Sequence, residues 1–212
     1  MTPMKERIIL GPGCLREGAE WLAAREPRLA EALAITGLPP LRRRPDGFAA
    51  LLNIIVSQQL SVAAADSIWK RMSSGGLVTA EAIAAADEQA LRACGLSRPK
   101  IRYARALAAA GIDFAALRAA PLDQVIATLT AVPGIGRWSA EIYAMFALGR
   151  ADVFAPADLA LQEATRLLFG LPERPQGHAL REMARAWAPW RAVAARMLWA
   201  YYRVAKQREG IR

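Results

Sequence analysis

The stretch Leu129-Thr130-Ala131-Val132-Pro133-Gly134-Ile135-Gly136-Arg137-Trp138-Ser139-Ala140 decides how this chain is read. The helical period of residues 121–131 stops before Pro133, and a new one starts at Arg137, so a Pro-Gly-Ile-Gly turn joins two helices. Gly134 and Gly136 permit positive φ and keep side chains off the surface of the turn. Backbone N–H groups at the start of the second helix then meet the positive end of its dipole, which suits an anion. Such a turn can hold a DNA phosphate without reading base sequence. Gly134, Gly136, Arg137 and Ser139 are the expected phosphate contacts, and Ile135 is expected to point inward and lock the two helices.

Helical periodicity continues outward in both directions. Residues 16–36 read as one alanine- and leucine-rich helix ended by Gly37, and Leu41-Arg42-Arg43-Arg44-Pro45 as a basic connector. Asp46 is expected to cap the helix of Phe48, Leu51, Leu52, Ile55 and Val56. Further helices are expected from Ser61 to Met72, after the caps Thr79 and Asp87, from Ser97 to Gly111, and from Pro121 to about Ala131, with a turn at 113–119. Beyond the hairpin, residues 137–148, 159–169, 176–188 and 191–207 bring the expected total to ten or eleven helices. Arg7-Ile8-Ile9-Leu10 is the one strand-like piece. The fold class is all-α.

Composition narrows the chemistry. The 212 residues carry 28 Lys and Arg against 19 Asp and Glu, a net charge of +9, which fits a polyanionic partner such as nucleic acid. Two cysteines, Cys14 and Cys94, cannot make a disulfide framework or a four-cysteine metal site. One histidine, His178, makes a His-based metal centre improbable. No apolar run is long enough for a membrane span, and the start of the chain does not read as a signal peptide. An intracellular protein is expected, in the cytoplasm with the nucleoid or in the nucleus, working as a monomer and away from membranes.

Hairpin and aspartate together carry a resemblance. After the second helix comes Gly149-Arg150-Ala151-Asp152-Val153-Phe154-Ala155-Pro156-Ala157-Asp158, and Asp158 lies 158 − 138 = 20 residues beyond Trp138. A helix–hairpin–helix turn of the LPGIG type followed at that distance by a proline loop and an aspartate resembles the helix–hairpin–helix/Gly-Pro-Asp superfamily of DNA base-excision glycosylases. The segment Leu52-Asn53-Ile54-Ile55-Val56-Ser57-Gln58-Gln59-Leu60-Ser61 is similar to that family's DNA-facing helix end. Trp187-Ala188-Pro189-Trp190-Arg191, running on to Leu198-Trp199-Ala200-Tyr201, is similar to the C-terminal block of its alkylbase branch, the 3-methyladenine DNA glycosylase II type. The resemblance covers about residues 40–205 and implies a short form without the N-terminal β-rich domain.

It implies an all-α fold of two helical lobes with the active cleft between them. A six-helix lobe over 46–150 would carry the hairpin at 132–137, and residues 1–45 with 151–212 would carry the aspartate. Asp158 is the implied catalytic residue: a carboxylate beside the sugar stabilises the oxocarbenium-like cation that develops as the N-glycosidic bond breaks. It also reads as an ordinary N-cap, and the two roles are compatible. Asp152 is expected to be structural. Bifunctional relatives place a nucleophilic lysine where this chain has Trp138, so hydrolysis without strand cleavage is implied. Trp138, Ile142, Trp199 and Gln58 would line the base pocket. Ile142 stands where the branch has a tyrosine, and Trp187 and Trp190 are expected in the core. An aromatic wall attracts the positive charge of alkylated purines. Gln59 and Leu60 would fill the gap left by a flipped base. Arg98, Lys100, Arg102 and Arg105 would add phosphate charge or form a solvated face. No cofactor is required; a structural Na+ or K+ could sit on the main-chain oxygens of Thr130, Val132 and Ile135. The expected partner is double-stranded DNA with damaged bases. Two other readings stay open on sequence: a glycosylase for deaminated or mismatched bases, and a non-catalytic DNA-binding module.

Overall fold

Prolines and short polar side chains set where the helices begin. In the computed structural model, which describes residues 6–206, thirteen α-helices follow one another. They are α1 (Pro12–Ala23), α2 (Pro27–Thr36), α3 (Phe48–Ser57), α4 (Val62–Ser74), α5 (Ala80–Ala85), α6 (Glu88–Ala93) and α7 (Arg98–Ala109), then α8 (Phe114–Ala119), α9 (Leu122–Thr130), α10 (Arg137–Phe146), α11 (Leu159–Phe169), α12 (Gly177–Met183) and α13 (Arg191–Lys206). A short 3-10 turn, Ala184–Trp187, joins α12 to the chain before α13. Residues 1–5, which open the stretch weighed as a leader, and residue 207, the expected end of the last helix, lie outside the described residues.

The chain divides into two units, the described parts of Met1–Arg43 with Gly149–Arg212, and Arg44–Leu148. In the first, α13 is the central element: Ala192 through Ala200 are all buried, and the helix packs on α1, α2 and α11. Gly18 lets α1 come close, since a Cβ there would stand 2.7 Å from the Trp190 ring. In the second, α10 is central, with Ser139 through Phe146 buried against α3 and α9, while α7 packs on α3 and α5.

Several expectations are corrected. Residues 16–36 form two helices, because Pro27 cannot continue the first as an N–H donor and the Glu26 side chain caps the second. Gly47, at φ 107°, takes the N-cap position of α3; the Asp46 carboxylate instead pairs with Arg118 at 3.1 Å. Residues 113–119 are helical because Asp113 Oδ1 accepts from the N–H groups of Ala115 and Ala116 at 2.9 Å. Eight helices, α3–α10, fall in Arg44–Leu148 where the resemblance implied six; the expected caps Thr79 and Asp87 do start two short helices, and the Asp113-capped α8 adds a third where a turn was expected. The strand-like piece makes only an isolated antiparallel bridge, Ile8 to Arg150, with the Ile9 N–H on the Gly149 carbonyl at 2.7 Å.

Candidate DNA-binding and catalytic site

The hairpin is built from its two buried apolar residues outward. Val132 and Ile135 are buried, and the Ile135 N–H donates to the Val132 carbonyl at 3.0 Å, which closes the turn between them. Gly134 sits at φ 90°, in the region that favours glycine. A second constraint acts there: a Cβ on Gly134 would lie 2.2 Å from Cγ of Tyr103, so the tyrosine ring of α7 packs directly on the turn. Gly136 is different. It has φ −83° and open space where a Cβ would go, and it begins α10 with no side-chain cap. It leaves the helix N-terminus bare, an arrangement that can take an anion. The expectation that both glycines serve positive φ is thus corrected for Gly136.

The end of α3 runs up to this turn. Four carbonyls at the end of α3 find donors: Asn53 from the Ser57 hydroxyl, Ile55 from the Gln58 N–H, Val56 from the Lys100 ammonium at 2.6 Å, and Ser57 from the Leu60 N–H. Burial pulls Lys100 below the ordinary lysine pKa. Gln59 follows with φ 57°, unusual for a side-chain-bearing residue, and Leu60 is exposed. Gln58, Gln59, Lys100, Tyr103 and the hairpin together line a groove of about 690 Å³.

Two expected roles change here. Ser139 is 3% exposed, and its hydroxyl is turned inward because 139 shares the buried face of α10 with Ile142, Tyr143 and Phe146. Its side chain therefore does not serve as an outward phosphate contact. The Gln58 amide nitrogen is committed to the turn, donating to the Gly134 carbonyl at 2.9 Å and to Ser139 Oγ at 3.1 Å. Arg137 is exposed at the first position of α10, with its Nε on the buried Glu141 carboxylate at 3.0 Å. Trp138 is half-buried beside it, and Ile142 is buried. Among the basic residues of α7, Lys100 and Arg105 bond to helix-end carbonyls, those of Val56 and Ala86, and Arg98, Arg102 and Arg105 are exposed.

Asp158 belongs to the other unit. It is 7% exposed and caps α11, with Oδ1 accepting from the N–H groups of Ala160 and Leu161 at 3.0 Å each. The Trp199 indole N–H donates to the same oxygen at 3.1 Å. Trp199 is itself 2% exposed, so its ring packs in the core and its edge addresses the carboxylate, rather than forming an open wall. The loop ahead of Asp158 is held by Gln162, whose side-chain amide donates to the Pro156 carbonyl at 2.8 Å. Asp152 makes a bidentate pair with Arg191, at 2.6 and 2.8 Å, and fastens the start of α13. Trp187 stacks edge-on against Phe154 at 5.4 Å and Trp190 is buried. Neither Tyr103 nor Gln162 belongs to a motif in the sequence. Gln162 carried a signal, since it shares a helix face with Asp158 four residues earlier; Tyr103 carried none.

Comparison with known proteins gives the family and the fold. The model of the HhH-GPD superfamily base excision DNA repair proteins matches residues 52–189. The chain is 33% identical to DNA-3-methyladenine glycosylase 1 of Schizosaccharomyces pombe over 76% of this chain and 75% of that protein. A solved structure of a DNA-3-methyladenine glycosidase from Bacillus halodurans superposes with a TM-score of 0.79 at 33% identity, covering 97% of this chain and 96% of that one. The S. pombe 3-methyladenine DNA glycosylase in complex with abasic DNA superposes at 0.78 with 28% identity, over 90% and 97% of the two chains.

Proposed function

The chain belongs to the HhH-GPD superfamily of base excision DNA repair proteins, and on that premise we propose that it is a monofunctional glycosylase that hydrolyses the N-glycosidic bond of alkylated bases in duplex DNA inside the cell. The observation that carries the reading is Asp158, a buried carboxylate held on one oxygen by two backbone N–H groups and one indole N–H.

The phosphate grip falls to Gly134, the bare N-terminus of α10 at Gly136, and Arg137. Gln59 and Leu60 fill the gap in the duplex once a base has left the stack. Cleavage of the glycosidic bond sends its electron pair to the base and leaves positive charge on the sugar. The Asp158 carboxylate stabilises that charge, orients the water that adds at C1′ and takes the proton that water gives up. An alkylated purine carries its own positive charge and leaves without a dedicated acid. Trp138 supplies the aromatic face that favours such a base, a gain of roughly 0.5–2 kcal/mol. With tryptophan in the lysine position, no amine attacks the sugar and the strand stays intact. Thr130, Val132 and Ile135 offer neutral main-chain oxygens that suit Na+ or K+. Val132 already accepts one hydrogen bond there and keeps a second lone pair for an ion. Such an ion would stiffen the turn.

The test is single-turnover release of 3-methyladenine, 7-methylguanine, hypoxanthine and uracil from duplex DNA, with borohydride present in a parallel reaction. Cationic methylpurines should leave fastest and uracil slowest, no covalent adduct should be trapped, and Trp138→Ala should slow the cationic bases most. Uracil leaving fastest would promote the reading as a deaminated-base glycosylase. Binding without release of any base would leave a DNA-binding module.

A further inference from the structure

A single side-chain nitrogen joins the end of α3 to the hairpin. Gln58 Nε2 reaches the Gly134 carbonyl inside the turn and the Ser139 hydroxyl in the first turn of α10. The Gly134–Ile135 peptide is thereby fixed at both ends, its carbonyl by Gln58 and its N–H by the Val132 carbonyl. The orientation of that peptide sets the direction in which the backbone enters Gly136 and α10. On its other side, Gln58 leaves the helical conformation at ψ 132° and is followed by Gln59 at φ 57° and the exposed Leu60. A left-handed conformation at a residue with a side chain persists only where its surroundings over-determine it. The amide on the hairpin supplies one such constraint, and the Leu60 N–H on the Ser57 carbonyl at 3.3 Å supplies another.

We propose that Gln58 is a positioning residue: its carboxamide sets the phosphate-gripping hairpin in register with the Gln59–Leu60 loop, so that holding the backbone and filling the base gap act as one movement. This rests on the glycosylase reading above, but it is a claim about binding and is tested there. Both acceptors lie on the hairpin side, so what the site needs from residue 58 is a donor. A carboxylate in its place would face the Gly134 carbonyl oxygen with no proton to give, whereas a protonated carboxyl could donate again.

The experiment measures affinity for a duplex carrying a stable abasic analogue, using full-length wild type, Gln58→Glu and Gln58→Met between pH 5 and pH 8, each value normalised to wild type at that pH. At pH 8 both variants should bind about tenfold more weakly, the scale of one or two lost hydrogen bonds. Toward pH 5, as a carboxyl facing a carbonyl oxygen takes up its proton, Gln58→Glu should recover part of the loss, and Gln58→Met none of it. Wild-type affinity in Gln58→Met, or an equal and pH-independent loss in both, overturns the proposal. If either variant fails to fold, amide hydrogen exchange at Gly136 and Arg137 is compared between wild type and Ser139→Ala, which removes one acceptor without touching α3. Faster exchange in the variant supports the coupling, and unchanged protection overturns it. Wild-type excision of 3-methyladenine is run alongside: a protein that binds but does not excise defeats the glycosylase reading, while the response of Gln58 variants is still judged on binding.

Discussion

In Asp158 one carboxylate does two jobs. It caps α11, and in the proposed reaction it stabilises the sugar cation; substitution separates the two because asparagine caps a helix about as well as aspartate. Asp158→Asn should therefore melt near the wild-type temperature, lose excision by several orders of magnitude, and bind DNA as well or better, since a negative charge near phosphates is gone. Excision at the wild-type rate would remove the assignment. Trp199→Phe keeps the packing but drops the indole donor to Oδ1. Hydrogen bonds to charged groups are worth roughly 1.5–3 kcal/mol, so excision should fall at least tenfold with general DNA affinity unchanged. The cap at Asp158 was legible because its place before a helix is a property of the linear chain. The Trp199 contact was not, because it joins residues 41 apart and an aromatic at helical spacing reads first as core.

Among the elements, the hairpin shows how two glycines one residue apart differ. Gly134→Ala meets both an unfavourable φ of 90° and the Tyr103 ring, so it should destabilise the fold by about 1–3 kcal/mol in a thermal melt. Gly136→Gln has room and an ordinary φ, so it should melt like wild type. It should nevertheless weaken binding to damaged and normal duplex alike, because the new side chain covers the helix N-terminus and the contact carries no base information. A change in lesion preference with general affinity intact would take the phosphate grip away from this turn. Most of the helices could be read from the chain because their caps, Ser61, Thr79, Asp87 and Asp158, sit where local chemistry puts them. The failures were also local: an aspartate at 46 engaged by Arg118 instead of a helix, and a proline at 27 that restarts a helix inside an apolar run.

Across the whole molecule, charge acts at two ranges. The excess of +9 makes binding strongly dependent on salt, because each phosphate contact releases counterions. At short range, Arg166 and, through α13, Lys206 hold Glu163 at a pKa of about 2 against an ordinary 4.5. A carboxylate depressed in the folded state stabilises fully above the unfolded value and loses that contribution as pH falls through the folded one. Stability should therefore decline from about pH 4.5 toward pH 2, and Glu163→Gln should flatten that decline; thermal melts across the range test it. Net charge was legible from composition alone, whereas the pin between α11 and α13 appears only once the two helices are packed.

The division of the chain also bears on synthesis. Arg44–Leu148 is continuous, and its entry and exit are tied by the Arg44 N–H on the Phe146 carbonyl at 3.0 Å. The other unit is interrupted: α1 and α2 bury their apolar faces against α13, the last of the described helices to leave the ribosome. At roughly 5–20 residues per second, the first two helices wait many seconds with that face uncovered, while the inserted unit can already have folded. A nascent chain halted before Arg191 would then hold a finished hairpin while the apolar faces of α1 and α2 stay uncovered, and would be a substrate for chaperones.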